Sequence, residues 1–187
     1  MKITAIMGSH RNSGHTARVL KHFLGCLEDQ SALRIINVNK EEIRPCLGCD
    51  YCIEHQAECV IKDDAMTGIY RDIFESDLLV IASPVYFTAF PSKIKALFDR
   101  MQLAFNLKNA DQIKEKKLIF IGIGGAPSYP HQFDGMRFTL KWFNRYLKVT
   151  DTYEATFVHS DVTPALEQKE SIEKLESWAK EINEGIF

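Results

Sequence analysis

Short apolar runs alternate along this chain with longer stretches whose apolar residues recur at helical spacing. The apolar runs are continuous, a pattern typical of strands that are buried on both faces of a parallel sheet. Because the strand–helix alternation occurs five times, it predicts an open, doubly wound α/β sheet with five parallel strands and helices on both faces. The predicted strands are 3–7, 33–38, 78–82, 118–123 and 153–158, and the predicted helices are 16–27, 66–74, 94–103, 137–147 and 166–182.

Size and composition fit one ordinary globular domain. The chain has 187 residues, of which 45% are hydrophobic and 26% charged, as in soluble proteins. Its net charge of −2 gives no reason to expect a nucleic-acid partner. No apolar run is long enough for a membrane span and the first residues lack the pattern of an export signal. We therefore expect a cytoplasmic protein whose five cysteines are reduced thiols or metal ligands.

The loop after the first predicted strand has the composition of a phosphate site. Ligands of doubly wound sheets bind beyond the carboxyl ends of the strands, and residues 8–16 lie there at the start of a helix. A helix N-terminus offers unpaired N–H groups to a phosphate. Hydroxyls and a cation could assist, since the loop contains Ser9, Ser13, Thr16 and Arg11. The sequence is neither a Walker A loop nor G-x-G-x-x-G, and the alternative is a plain capped turn.

Two further loops could hold a flat ring. Residues Pro84, Val85, Tyr86 and Phe87 follow the third strand, and a rigid loop with two aromatic side chains suits a heteroaromatic ligand. The alternative is that both aromatics cover the core. Gly124, Gly125 and Ala126 follow the fourth strand and would let the backbone approach a ligand closely, unless they form only a turn.

Four of the five cysteines lie within 14 residues, in the loop after the second strand. Three of them form a Cys-x-x-Cys-x-x-Cys run that can wrap one corner of an iron–sulfur cluster, with a fourth thiolate arriving nearby. Zinc is an alternative, although it usually takes two separated pairs. The other two alternatives are thiol redox chemistry and a loop of thiols without metal. The residues are Cys46, Cys49, Cys52 and Cys59; Cys26 lies on a predicted helix and is expected in the core.

Three motifs resemble the NADPH-dependent FMN reductase family, which includes iron–sulfur flavoproteins. They are Gly8-Ser9-x-Arg11-x-x-Gly14-x-Thr16, Ser83-Pro84-Val85-Tyr86-Phe87 and Lys95-x-x-x-Asp99-Arg100. The resemblance implies a flavodoxin-like fold, with one FMN-binding domain over residues 1–187, and an FMN 5′-phosphate on the first loop. The residues that it implies for FMN are Ser9, Arg11, Ser13, Gly14, His15, Thr16, Pro84, Val85, Tyr86, Phe87, Gly124, Gly125 and Ala126.

The spacing of the cysteines resembles the compact motif of iron–sulfur flavoproteins. This resemblance implies that Cys46, Cys49, Cys52 and Cys59 hold a [4Fe–4S] cluster in a loop over about residues 44–62.

The family resemblance also implies a function. The chain would be an FMN-dependent oxidoreductase that takes electrons from NAD(P)H and passes them to a small acceptor such as a quinone or a flavin. If the cluster is present, the alternative is an electron relay with a ferredoxin-like protein. No residue is firmly expected to be catalytic, and Tyr86 is the candidate for shaping the open flavin face. The family implies a homodimer or homotetramer.

Three other functions are disfavoured by the sequence. The nearly neutral charge disfavours a non-catalytic flavodoxin-type carrier. A low-molecular-weight tyrosine phosphatase needs Cys-x5-Arg in the first loop, and a response regulator needs acidic residues there. The first loop contains neither.

Overall fold

Five parallel strands form the centre of the protein. The computed structural model describes residues 1–55 and 58–187, and its sheet has the order β2-β1-β3-β4-β5. This order confirms the predicted doubly wound, flavodoxin-like sheet. The strands are β1 (Ile3–Met7), β2 (Leu33–Asn37), β3 (Leu78–Pro84), β4 (Lys116–Ile123) and β5 (Val149–Phe157).

Helices cover both faces of the sheet. One apolar layer joins the sheet to the first and last helices, and the other joins it to the helices that follow β2, β3 and β4. The helices are α1 (His15–Gly25), α2 (Tyr51–Glu54), α3 (Met66–Phe74), α4 (Ser92–Arg100), α5 (Gln102–Phe105), α6 (Asp134–Tyr146) and α7 (Lys169–Asn183), with a 3₁₀ turn at Ala165–Glu167.

Near the cysteine loop, two helical details differ from the predicted elements. The predicted helix 94–103 is two helices, because the chain leaves α-helical geometry at Met101, whose N–H donates to the Phe98 carbonyl. Helix α2 was not predicted; it has four residues, too few to show a helical period. It begins after Asp50, which has a left-handed backbone with φ of 57°. Cys52 of the cysteine loop lies on this helix.

Burial follows the position of each strand in the sheet. Every residue of β1 is buried, and so are Leu78–Ser83 of β3. The edge strand β2 is partly open, and its Ile35 is 46% exposed. Continuous apolar runs therefore identify the central strands reliably. Among the described residues, no helix has the length and apolar character that crossing a membrane requires.

Candidate cofactor cavity and cysteine loop

The carboxyl ends of β1, β3, β4 and β5 surround a cavity of about 270 Å³. Most residues that the sequence assigned to FMN line it, from the first loop, the loop after β3 and the loop after β4. Ser13, Phe87, Gly124 and Ala126 are not among the lining residues. The lining residues are Ser9, Arg11, Gly14, His15, Thr16, Pro84, Val85, Tyr86, Ile123, Gly125, Ser160 and Asp161.

The first loop is seated tightly against β3 and α4. The Gly8 N–H donates to the Ala82 carbonyl at 2.7 Å. A Cβ at Gly8 would lie 2.7 Å from Cδ1 of Ile94, closer than real Cβ atoms approach, and at a tight 3.0 Å from Oγ of Ser83. A larger residue at position 8 would therefore force the Ile94 side chain or the loop itself to shift.

The N-terminus of α1 opens into the cavity without a side-chain cap. Its N-cap residue is Gly14, which has no side chain to satisfy the first N–H groups. Thr16 is buried as a residue and lines the cavity, and within the described chain its hydroxyl has no protein hydrogen-bond partner. The Ser9 hydroxyl accepts from the Arg11 N–H at 3.1 Å and keeps its own proton to donate. Free N–H groups, two hydroxyls and one arginine fit the phosphate of FMN.

His15 has a structural contact that the sequence did not indicate. Its Nδ1 accepts from the Ala165 N–H at 3.4 Å, which links the start of α1 to the 3₁₀ turn after β5.

The loop after β3 makes a strained turn beside the cavity. Tyr86 and Ala89 exchange two backbone hydrogen bonds of 2.9 Å, and Phe87 and Thr88 between them both have positive φ, of 49° and 62°. Such φ values are costly for residues other than glycine. The turn directs Tyr86 to the cavity and leaves Phe87 fully exposed.

Helix α6 supports this turn from outside. The Met136 N–H donates to the Thr88 carbonyl at 3.2 Å. A Cβ at Gly135 would lie 2.6 Å from the same carbonyl oxygen, so this glycine permits the contact. The aromatic loop is thus fixed by tertiary contacts and not by its own turn propensity.

The loop after β5 completes the cavity wall, which the sequence did not predict. His159, Ser160 and Asp161 donate backbone hydrogen bonds to the carbonyls of Ala126, Gly124 and Gly125, at 2.7, 3.1 and 3.3 Å. These bonds fasten the loop to the glycine-rich segment. A Cβ at Gly125 would collide with the Asp161 carboxylate. The one available signal was polar residues just after a predicted strand.

The four clustered cysteines line a separate small cavity beside α2, α5 and the end of α4. Cys46 and Cys49 are exposed, whereas Cys52 and Cys59 are half-buried, and the Asn106 side chain donates to the Cys52 sulfur at 3.1 Å. Within residues 1–55 and 58–187, the two cavities share no lining residue.

The spacing of the thiols bears on which metal they could hold. No three of these four sulfurs come within 4.8 Å of one another in the described chain. Around one tetrahedral zinc ion, sulfur atoms would be about 3.8 Å apart, given the usual Zn–S bond length. The four thiols therefore do not form a ready-made tetrahedral zinc site.

Comparison with known proteins agrees with the motifs and the fold. Residues 1–168 match the model of the NADPH-dependent FMN reductase family. The chain is 36% identical over 127 residues to an iron–sulfur flavoprotein of Methanosarcina thermophila, covering 67% of this chain and 64% of that protein. It is 33% identical over 126 residues to one of Methanocaldococcus jannaschii, covering 67% and 62%. The matched segments thus span less than two thirds of these relatives.

A solved structure shows the same fold. The NAD(P)H:quinone oxidoreductase of Methanothermobacter marburgensis superposes with a TM-score of 0.72 over 97% of this chain and 96% of that one, at 13% identity. Taken with the match over residues 1–168, the cavity and the sheet order lead to one assignment. The chain belongs to the NADPH-dependent FMN reductase family of flavin oxidoreductases.

Proposed function

We propose that this chain binds FMN in the cavity at the carboxyl edge of the sheet and passes electrons from NAD(P)H through it to a small acceptor such as a quinone or a flavin. The observation that carries the proposal is the uncapped N-terminus of α1, which opens into the same cavity as Ser9, Thr16 and Arg11. Family membership supports the choice of FMN and NADPH. We include in the proposal a single domain over residues 1–187, a cytoplasmic location and a homo-oligomer.

The two ends of the cavity would bind different parts of FMN. The first loop would bind the phosphate, and the space between Tyr86 and Gly125 would take the ring. When bound, FMN supplies the redox chemistry. Tyr86 is 47% exposed, so it would border the ring and leave one face open to a nicotinamide and then to an acceptor. Its role would be to shape that face, and no side chain is required to transfer a proton.

Removing both phosphate-facing hydroxyls tests this assignment. The double change Ser9→Ala with Thr16→Ala should weaken FMN binding to the apoprotein by roughly 150-fold or more, since it deletes two hydrogen bonds to a charged group, each worth about 1.5–3 kcal/mol. Titration of flavin fluorescence measures the dissociation constant. Riboflavin, which lacks the phosphate, serves as the matched ligand, and its affinity should stay within about twofold. An unchanged FMN affinity would show that the phosphate lies elsewhere.

The second candidate function is that of an iron–sulfur flavoprotein, relaying electrons to or from a ferredoxin-like protein. It is favoured by four thiols around one cavity and by curated relatives that carry this name. Cys46, Cys49, Cys52 and Cys59 would hold the cluster, which would supply one-electron transfer.

Metal analysis of anaerobically purified protein tests the second candidate. We expect iron and acid-labile sulfide in equal amounts and a broad absorbance shoulder beyond the flavin bands. Cys49→Ser should lose both, whereas Cys26→Ser should keep them, because Cys26 lies on the opposite face of the sheet beside α1. Zinc in place of iron, or clean flavin bands without iron, would rule out the cluster.

A further inference from the structure

Arg100, the last residue of α4, is buried beneath the cysteine cavity and uses all of its hydrogen-bond donors. Only 2% of the residue is exposed. Arginine carries five N–H donors in a rigid, planar fork, and each has an acceptor within the described chain. Nε donates to the Tyr70 hydroxyl at 3.2 Å; Nη1 donates to the Arg44 carbonyl at 3.0 Å and to Asp64 at 2.6 Å; Nη2 donates to the Ile61 carbonyl at 3.2 Å and to Asp64 at 3.4 Å.

Two of these acceptors, the Arg44 and Ile61 carbonyls, lie on the two stems of the cysteine loop, the segments by which the chain enters and leaves it. Arg44 is two residues before Cys46, and Ile61 is two residues after Cys59. One guanidinium therefore binds a backbone carbonyl on each side of the segment that carries the four cysteines. The chain enters and leaves that segment at positions set by a single side chain.

Asp64 joins the same stems through its carboxylate. Its Oδ2 accepts from the Arg44 N–H at 3.1 Å, and its Oδ1 accepts from the Met66 N–H at 3.1 Å. The side chains of Arg100 and Asp64 are 1% and 0% exposed. Residues 44 and 64 are thus held together by both members of a buried ion pair.

The Arg100–Asp64 pair adds little net charge to its surroundings, because the carboxylate lies directly against the guanidinium. It acts on the cysteine loop mainly through the geometry of its hydrogen bonds. Burial opposes the charge of Arg100, but Asp64 and Tyr70 raise the pKa of the guanidinium above its ordinary value. The cation is therefore permanent. Lysine could keep the charge but not the fork, since its ammonium carries three donors on a flexible stem.

We propose that Arg100 is a positioning residue that, with Asp64, closes both stems of the cysteine loop and holds its four thiols around their cavity before any metal arrives. We call the Arg100–Asp64 pair, with its contacts to the two stems, the clamp. Its relevance to electron transfer rests on the second candidate function, whereas the clamp itself is a property of the metal-free protein.

The variants Arg100→Lys and Asp64→Asn, with Lys95→Met as control, test the proposal. Lys95 lies on the same helix and forms an exposed ion pair with Asp99. In chelator-treated, reduced protein, we expect thiol labelling of the half-buried Cys52 and Cys59 to accelerate at least roughly tenfold in both clamp variants and to stay unchanged in the control. Iron taken up on anaerobic reconstitution should fall severalfold. FMN affinity should stay within twofold, because neither residue lines the FMN cavity.

A merely structural role predicts a different pattern. Global loosening would lower FMN affinity together with loop order, and it would accelerate labelling of Cys26 on the opposite face as much as that of Cys52. Either result, or unchanged labelling in folded variants, would overturn the proposal.

Hydrogen exchange in the wild-type, metal-free protein gives a measurement that does not depend on the variants folding. The N–H groups of Arg44 and Met66 donate to Asp64 and should be strongly protected. Exchange at the rate of an unstructured chain would overturn the clamp. If the wild-type protein binds no iron, the second candidate function fails, but the labelling and exchange results still decide the proposal.

Discussion

Gly8→Val is expected to weaken FMN binding by roughly 100-fold or more, because the phosphate loop can no longer occupy its place. A Cβ at this position already meets Ile94, Ser83 and the backbone carbonyl of Ala82, at 2.7, 3.0 and 3.1 Å. The end of the Ile94 side chain could yield, but the Ala82 carbonyl is fixed by its strand and accepts the Gly8 N–H. Valine must therefore push the loop away from β3.

Displacement of this loop by a few tenths of an ångström affects several bonds at once. Hydrogen bonds to a charged group each contribute about 1.5–3 kcal/mol, and the loop and the N-terminus of α1 would supply several. Overpacking should also destabilise the fold by about 1–3 kcal/mol.

Paired titrations separate these effects. FMN affinity is measured by fluorescence and the free energy of unfolding by urea denaturation of the apoprotein. Gly25→Val is the control, since a Cβ there meets nothing within 4 Å. If Gly8→Val binds FMN as tightly as Gly25→Val does, the first loop is not the phosphate site.

The candidate site was predictable where its chemistry is contiguous in sequence. The first loop and Pro84–Tyr86 follow apolar strands directly, so strand prediction alone places them at the ligand edge of the sheet. Ser160 and Asp161 reach the cavity by pairing with Gly124 and Gly125, more than 30 residues away. A pairing of that kind leaves no periodic pattern in the sequence.

The same limit applies to the cysteine loop. The spacing of Cys46, Cys49, Cys52 and Cys59 is visible in the sequence. The contacts that hold these cysteines in place are not. Arg100 lies on a predicted amphipathic helix, where arginine ordinarily faces solvent. Only the fold shows that it is buried against Asp64, 36 residues earlier. This contact gives a physical reason for one stretch that sequence resemblance alone had singled out, the one ending at Arg100.

Arg100→Leu is expected to destabilise the metal-free protein by about 3–5 kcal/mol, the usual cost of leaving one member of a buried ion pair without its partner. The Asp64 carboxylate would keep the N–H groups of Arg44 and Met66 but lose its counter-ion in a site with 0% side-chain exposure. Two backbone carbonyls, of Arg44 and Ile61, would also lose a donor.

The double variant Arg100→Leu with Asp64→Asn separates the charge from the hydrogen bonds. Asparagine removes the unpaired charge while its carbonyl oxygen still accepts from a backbone N–H, so the double variant should be more stable than Arg100→Leu by at least about 1 kcal/mol. Lys95→Met breaks an exposed pair on the same helix and should change stability by less than about 0.5 kcal/mol.

Urea unfolding of the three variants at neutral pH, with neither flavin nor metal present, measures these differences. A cost for Arg100→Leu no larger than that of Lys95→Met would mean that the pair contributes little to stability. A double variant less stable than Arg100→Leu would mean that the hydrogen bonds of Asp64 to the loop stems matter more than its charge. The expected order would show that the unpaired buried carboxylate, more than the loss of its backbone hydrogen bonds, accounts for the cost of Arg100→Leu.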